Sequence, residues 1–263
     1  ESYPMVKKNQ GPKLSNLRSR RRKKNIRNFL IFLVLFMIVI FSVAYATTLP
    51  SVSIERITIE GNSGISSSKI ESFVNERLEG KYWKLFARRN SFLYPRRTIE
   101  KGLFDRWKRI ENVKLSLVDL QNLSVSIIER KPFALWCLVD QCYFLDTNSL
   151  VFAKAPDFSG NVFLKFFGGI SSPDPIGEHF LPPEKFLALS QFIDSLKELS
   201  LTPISLSLNS EHDFELSIVG GAKIIFNDKQ EFLKTFENLK SLLAESSFTL
   251  ETKNSVLNID YID

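Results

Sequence analysis

Histidine and cysteine are nearly missing from this chain, with two of each among 263 residues. Two cysteines exclude a disulfide-rich scaffold and a four-cysteine zinc site. The histidines, His179 and His212, are far apart in sequence and each sits beside acids in loop-like surroundings. A metal site needs three or four converging ligands, so both read as solvated loop residues, and no metal or other cofactor is expected. There is no G-x-S-x-G, no P-loop and no G-x-G-x-x-G, hence no motif for a nucleophile or a phosphate cradle. No enzymatic activity and no small-molecule substrate are expected. Eleven glycines and eleven prolines exclude collagen-like and low-complexity classes, and 44% hydrophobic residues exclude a wholly disordered chain.

A second absence is local. No charged residue lies between Arg27 and Glu55, and Phe29 to Leu49 reads FLIFLVLFMIVIFSVAYATTL. A helix of about 21 residues at 1.5 Å rise spans roughly 30 Å of hydrocarbon. Pro50 stops it. The preceding residues hold ten bases against one acid, including the run Arg20, Arg21, Arg22, Lys23 and Lys24. Beside an apolar span, such a run sets topology and attracts anionic headgroups; the positive-inside rule puts it in the cytoplasm and the remaining chain outside. As the first residue is Glu1 and not Met, this tail is expected to be incomplete at its start. Ala44-Tyr45-Ala46 also fits a signal-peptidase site, which would release an exported domain beginning at Thr47. The long basic region and long apolar run favour an uncleaved anchor.

The net charge of +6 is not a property of one surface. Residues 1–54 carry +9 and residues 55–131 carry +6, whereas residues 132–263, with nine lysines, no arginine and eighteen acids, carry −9. A nucleic-acid partner is therefore not expected.

After the span, SVSIERITIEG (Ser51 to Gly61) reads as a strand closed by the turn Gly61-Asn62-Ser63-Gly64. Ser68 and Glu71 fit a capping box, and Ile70, Phe73, Val74 and Leu78 mark one face of a helix that Gly80 ends. Tyr82 to Arg97 is expected as a loop tucking Trp83, Leu85 and Phe86 onto a core. Pro95 opens a second helix with Ile99, Leu103 and Trp107 inside. Val113, Leu115, Leu117 and Leu123, Val125, Ile127 alternate as a hairpin about a turn at Gln121-Asn122. From Pro132 onward the chain reads as a β-rich domain with two helices. These carry Phe186, Leu189, Phe192, Ile193 and Leu196, and then Phe232, Phe236, Leu239 and Leu243. Three strands around Leu206, Leu216 and Ile224 form a meander between the helices, and Ser255 to Ile262 is the last strand.

The order strand-helix-helix-strand-strand after one membrane anchor resembles a POTRA domain. The residues closing it, Glu129-Arg130-Lys131-Pro132-Phe133-Ala134, resemble the E-R-x-P-x-A signature of the bacterial cell-division family FtsQ, also called DivIB. Tyr143-Phe144-Leu145-Asp146 with Val151-Phe152 is similar to a hairpin of that family. Val52 to Gly61 is similar to its opening strand, Arg109 to Val113 to the segment before its second strand, and Asn258-Ile259-Asp260 to its final strand. The chain departs at Leu120-Gln121-Asn122, where the family has Pro-Asn, at Ser149, where it has Gly, and at Tyr261-Ile262, where Leu-Arg is common.

The resemblance implies an α+β protein with four parts. These are a basic cytoplasmic tail (1–28), a transmembrane helix (29–49), a POTRA domain (51–131) and a β domain (132–263). It also implies a non-enzymatic divisome scaffold in the plasma (inner) membrane at the septum, helping to coordinate septal peptidoglycan synthesis. Its partners would be the small coiled-coil division proteins FtsB (DivIC) and FtsL. The expected partner site is a sheet edge formed by Ser255, Val256, Leu257, Asn258, Ile259, Asp260 and Tyr261, together with Ser247–Thr252, which would accept a partner strand. A POTRA-containing export or outer-membrane assembly component is the competing class; it would need repeated units and a barrel of alternating strands, for which the chain has no room.

Two further features have open readings. Cys137 and Cys142 face each other if Leu138–Gln141 is the loop of their hairpin, and a disulfide is then geometrically possible, free buried cysteines being the alternative; if the turn is Asp140-Gln141, register excludes the bond. From Lys81 to Arg109 ten bases (Lys81, Lys84, Arg88, Arg89, Arg96, Arg97, Lys101, Arg106, Lys108, Arg109) face two acids. They form either a solvated face or a surface leaning on anionic lipid or an acidic partner.

Overall fold

The structure, a computed structural model, describes residues 14–139, 141–209, 213–227, 229, 231–244 and 256–258. It is a mixed α+β fold with a β-rich body and five α-helices among the described residues.

Helix α1, Leu14–Ala46, is one continuous rod. It begins well before the apolar run because arginine and lysine are good helix formers. Its stretch Arg22–Ala46 is long and apolar enough to cross a membrane, and its large apolar side chains are exposed on every side. It ends three residues before Leu49. There the Thr47 and Thr48 hydroxyls donate back to the carbonyls of Ala44 and Tyr45, both at 2.7 Å, and Pro50, which has no N–H, begins a 3₁₀ turn.

Strand β1 (Arg56–Glu60) is shorter than its sequence suggested. Helix α2 (Ser67–Leu78) buries Ile70, Phe73, Val74 and Leu78, as the spacing required. It starts at Ser67, two residues earlier than a cap at Ser68 implies, so Ser68 and Glu71 lie inside the helix. The stretch expected as a loop contains a small hairpin, β2 (Lys81–Tyr82) and β3 (Phe86–Ala87). At its tip Trp83 is 86% exposed. The expected tucking of Trp83 is therefore wrong: Trp83 and Lys84 take positive φ to close the turn, and the register leaves the indole outside. Helix α3 (Arg96–Arg106) follows Pro95 and buries Ile99 and Leu103. Strands β4 (Ile110–Leu117) and β5 (Asn122–Glu129) form the expected hairpin, with strand order β1-β5-β4. The turn lies before Asn122 and is tied by Asp119, whose Oδ1 accepts the N–H groups of Gln121 and Asn122 at 2.8 Å.

The remaining strands make an eight-stranded sheet in the order β13-β12-β11-β10-β9-β6-β7-β8. These are β6 (Ala134–Leu138), β7 (Gln141–Leu145), β8 (Val151–Lys154), β9 (Lys165–Gly168), β10 (Pro203–Leu208), β11 (Asp213–Ile218), β12 (Lys223–Asn227) and β13 (Val256–Asn258). The meander β10-β11-β12 is antiparallel, as expected. Central β9 runs parallel to both neighbours. Helices α4 (Pro183–Ser195) and α5 (Phe232–Ala244) cover one face. Alternation sorts β6 between two clusters: Ala134 and Trp136 join Phe166, Phe186, Phe192, Phe214 and Phe226 on the helix side, while Leu135 and Cys137 join Phe144 and Phe152 on the other. The buried Trp136 indole is satisfied by the Gly168 carbonyl at 2.8 Å. Gly168 has φ +75°, and a Cβ there would lie 2.1 Å from the Leu208 carbonyl oxygen.

Two compact units result. The first draws on the chain up to Thr58, on Ser68–Ile99 and on Leu115–Val125; the second on Ile59–Ser67, Glu100–Lys114 and the chain from Ser126 on.

Candidate functional site

The E-R-x-P-x-A residues, all in the second unit, do separate work. Glu129 ends β5 and its carboxylate sits against the turn after β1. It accepts the backbone N–H groups of Ser63 (2.8 Å), Gly64 (3.0 Å) and Ile65 (3.2 Å), and the Ser63 hydroxyl (3.2 Å). Successive N–H groups converging in this way make an anion cradle. Gly61 permits the turn: its φ is +82°, and a Cβ would lie 2.1 Å from the Ile127 carbonyl oxygen. Burial alone would raise the Glu129 pKa. The backbone donors of Ser63, Gly64 and Ile65 and the Ser63 hydroxyl outweigh it and hold the carboxyl below its ordinary 4.5. The Arg109 guanidinium stands 3.8 Å from the same carboxylate and lies over the Phe144 and Phe152 rings.

Arg130 points the other way along the chain. Its Nη1 donates to Asp146 Oδ2 at 2.6 Å, its Nε to the Lys108 carbonyl at 3.0 Å, and its backbone N–H to the Arg109 carbonyl at 2.8 Å. The side chains are 19% and 6% exposed, so this is not a surface pair worth under about 1 kcal/mol. Removing one partner would leave the other charge buried, which costs roughly 3–5 kcal/mol. Asp146 also accepts the N–H groups of Asn148 and Leu150, both at 2.8 Å. Ser149 has φ +64°. It is wholly buried and gives its hydroxyl proton to the Leu181 carbonyl, with His179 Nδ1 3.1 Å away. Its proton is thus committed to the backbone. Pro132 is exposed and Ala134 is buried in register with Leu145.

The sequence singled out Glu129 and Arg130 without assigning them partners. The run Gly61-Asn62-Ser63-Gly64 was the available signal for the first; Asp146 gave none until β7 brought it back to Arg130.

Leu138 pairs with Gln141 and Cys137 with Cys142, and a disulfide joins the two cysteines. The facing register of the two cysteines is thus the one formed, and the Asp140-Gln141 register, with Cys137 opposite Phe144, is not; because Leu138 and Gln141 also pair, the turn begins at Val139, with φ +51°. Of the basic segment, Arg109 is committed as above, Arg88 lies over Tyr82 and Arg89 donates to Asn75 Oδ1. Lys81, Lys84, Arg96 and Arg97 are exposed. The bases Arg20, Arg21, Arg22, Lys23 and Lys24, expected to set topology, all fall within α1. Among the described residues no cluster of His, Cys, Asp and Glu is arranged to hold a metal ion, and His212 lies outside them.

At the far end of the sheet, Val256, Leu257 and Asn258 pair with Lys223, Ile224 and Ile225 in parallel. Ser255, Ile259, Asp260, Tyr261 and Ser247–Thr252 lie outside the described residues. The sheet has two edges. At β8, Val151 exchanges backbone hydrogen bonds with Gly177 (2.7 Å) and Glu178 (2.9 Å), so that edge is covered where it begins. At β13 no strand lies beyond it among the described residues, and Val256 is 58% exposed. A groove of about 620 Å³ runs between α4 and α5, lined by Phe192, Phe232 and Phe236 with Lys185, Glu198 and Glu231.

Comparison with protein-family models and with curated proteins finds no match.

Proposed function

We propose that the chain is a non-enzymatic scaffold of the bacterial division complex, of the FtsQ/DivIB type. In this reading α1 crosses the plasma membrane with its basic end in the cytoplasm, and everything after Thr47 lies outside. Elements β1, α2, α3, β4 and β5, in the order strand-helix-helix-strand-strand, serve as a POTRA module, and the eight-stranded sheet serves as the partner-binding body. The observation that supports the reading is the asymmetry of the two sheet edges among the described residues: β8 is engaged by residues 177 and 178, whereas no described strand lies beyond β13, where Val256 is exposed. A sheet edge can template an incoming strand. The partners are the small coiled-coil proteins FtsB and FtsL, which coordinate septal peptidoglycan synthesis together with this chain.

The test is capture of FtsB and FtsL by the full-length chain in detergent. Asn258→Pro removes a backbone donor from β13, and Val256→Glu places a charge on its exposed side. Both are expected to lose capture while circular dichroism stays unchanged. Variants that fold and still capture both partners would contradict the reading.

A further inference from the structure

The first unit carries a second exposed feature that the division reading does not use. The segment leaving α1 is laced to three loops. Thr47 Oγ1 accepts the Ala87 N–H at 3.2 Å, and the Thr47 carbonyl accepts Asn90 Nδ2 at 3.2 Å. The Val52 carbonyl accepts the Ser91 N–H at 2.9 Å, and the Ile54 N–H donates to the Arg89 carbonyl at 2.9 Å. The Pro50 carbonyl accepts Gln121 Nε2 at 3.2 Å, while Glu55 returns its N–H to the Gln121 carbonyl at 2.8 Å. The β2-β3 hairpin, the 90–93 turn and the β4-β5 turn are thus each pinned within a few residues of the helix exit.

Each of these loops exposes large apolar side chains. Trp83 is 86%, Phe92 73% and Val118 72% exposed, and Leu93 and Leu120 are also exposed. Lys81 and Lys84 flank Trp83. Asp119, the acid of the β4-β5 turn, keeps its carboxylate on the backbone of its own loop. Aromatic and apolar side chains interleaved with lysine are the composition of a membrane–water interface.

We infer that this rim is a lipid-interface anchor: Trp83, Phe92 and Val118 sit in the headgroup region of the bilayer that α1 crosses, with Lys81 and Lys84 facing lipid phosphates. The inference rests on the reading of α1 as a membrane span. If Phe29 to Leu49 fills the hydrocarbon, Thr47 lies at its outer boundary, and the headgroup layer extends about 5–8 Å beyond. Ala87 touches Thr47 directly. The tip of its hairpin is two to three residues away, roughly 10 Å along a strand. The tether therefore keeps these loops within reach of that layer. Lipid is the favoured occupant because the rim is tied to the exit of the span and carries Lys81 and Lys84 beside its exposed apolar side chains.

The test uses the full chain reconstituted in phosphatidylcholine–phosphatidylglycerol vesicles, with lipids brominated near the top of the acyl chain as the quencher. Flotation first reports whether the chain is membrane-bound. Tryptophan fluorescence is then compared between the natural chain and Trp83→Phe, a surface change that leaves the core untouched. The expected result is a bromolipid-quenched, iodide-resistant component that is lost in the variant. A chain that floats but shows identical bromolipid quenching with and without Trp83, or a Trp83 component quenched by iodide alone, overturns the rim and leaves the anchor standing. A chain that does not float overturns both.

Discussion

Glu129 is a single carboxylate holding a turn 64–66 residues earlier in the chain. Its folded pKa lies below the ordinary 4.5. As the pH falls, the unfolded chain takes up the proton before the folded one does. The stabilisation is therefore complete above about 4.5 and is lost as pH falls through the lower folded value. Glu129→Gln should lower the urea midpoint at about pH 6 and flatten its decline toward about pH 3. An unchanged acid limb in the variant would mean that the cradle does not hold the charge. The turn Gly61 to Gly64 was legible in the sequence because glycine and asparagine mark it. Its anion was not, because only the return of β5 brings the two together. Ser149 teaches the same lesson: it takes a positive φ without being glycine, and the Leu181 carbonyl that accepts its hydroxyl proton lies 32 residues further along the chain.

At the scale of elements, the β6-β7 hairpin is closed by the Cys137–Cys142 bond, five residues apart in sequence. A loop this short restricts the unfolded chain modestly. Cys137→Ala with Cys142→Ala should cost roughly 2 kcal/mol in denaturant titration. The same loss should follow on adding reductant to the natural chain, and no change in either experiment would mean the thiols are not bonded. Period-2 alternation made β4, β5 and the meander readable, and 3.6-residue spacing made α2, α4 and α5 readable. Two elements escaped. The Phe163 to Phe167 run is apolar on both faces, which suits a central strand, but its parallel neighbours β6 and β10 are chosen by distant chain segments. The β2-β3 hairpin has two-residue strands, too short to show a period, so nothing in the sequence marks Trp83 as the residue at its exposed tip.

On the scale of the whole molecule, charge and apolar content sort the chain along its length: a basic helical start, a span without charge, a basic first stretch beyond it and an acidic sheet body. That order was plain in the sequence, because it needs no three-dimensional information. The edge β13 was legible only as a strand; that it ends the sheet depends on β12 being its sole described neighbour. If the chain is a division scaffold, these parts act together only at the septum. The most direct measurement is the position of a full-length fluorescent fusion in dividing cells of the organism that makes it. The account predicts a band at midcell that appears with constriction and weakens in Asn258→Pro. An even distribution around the membrane through the whole cycle would contradict it.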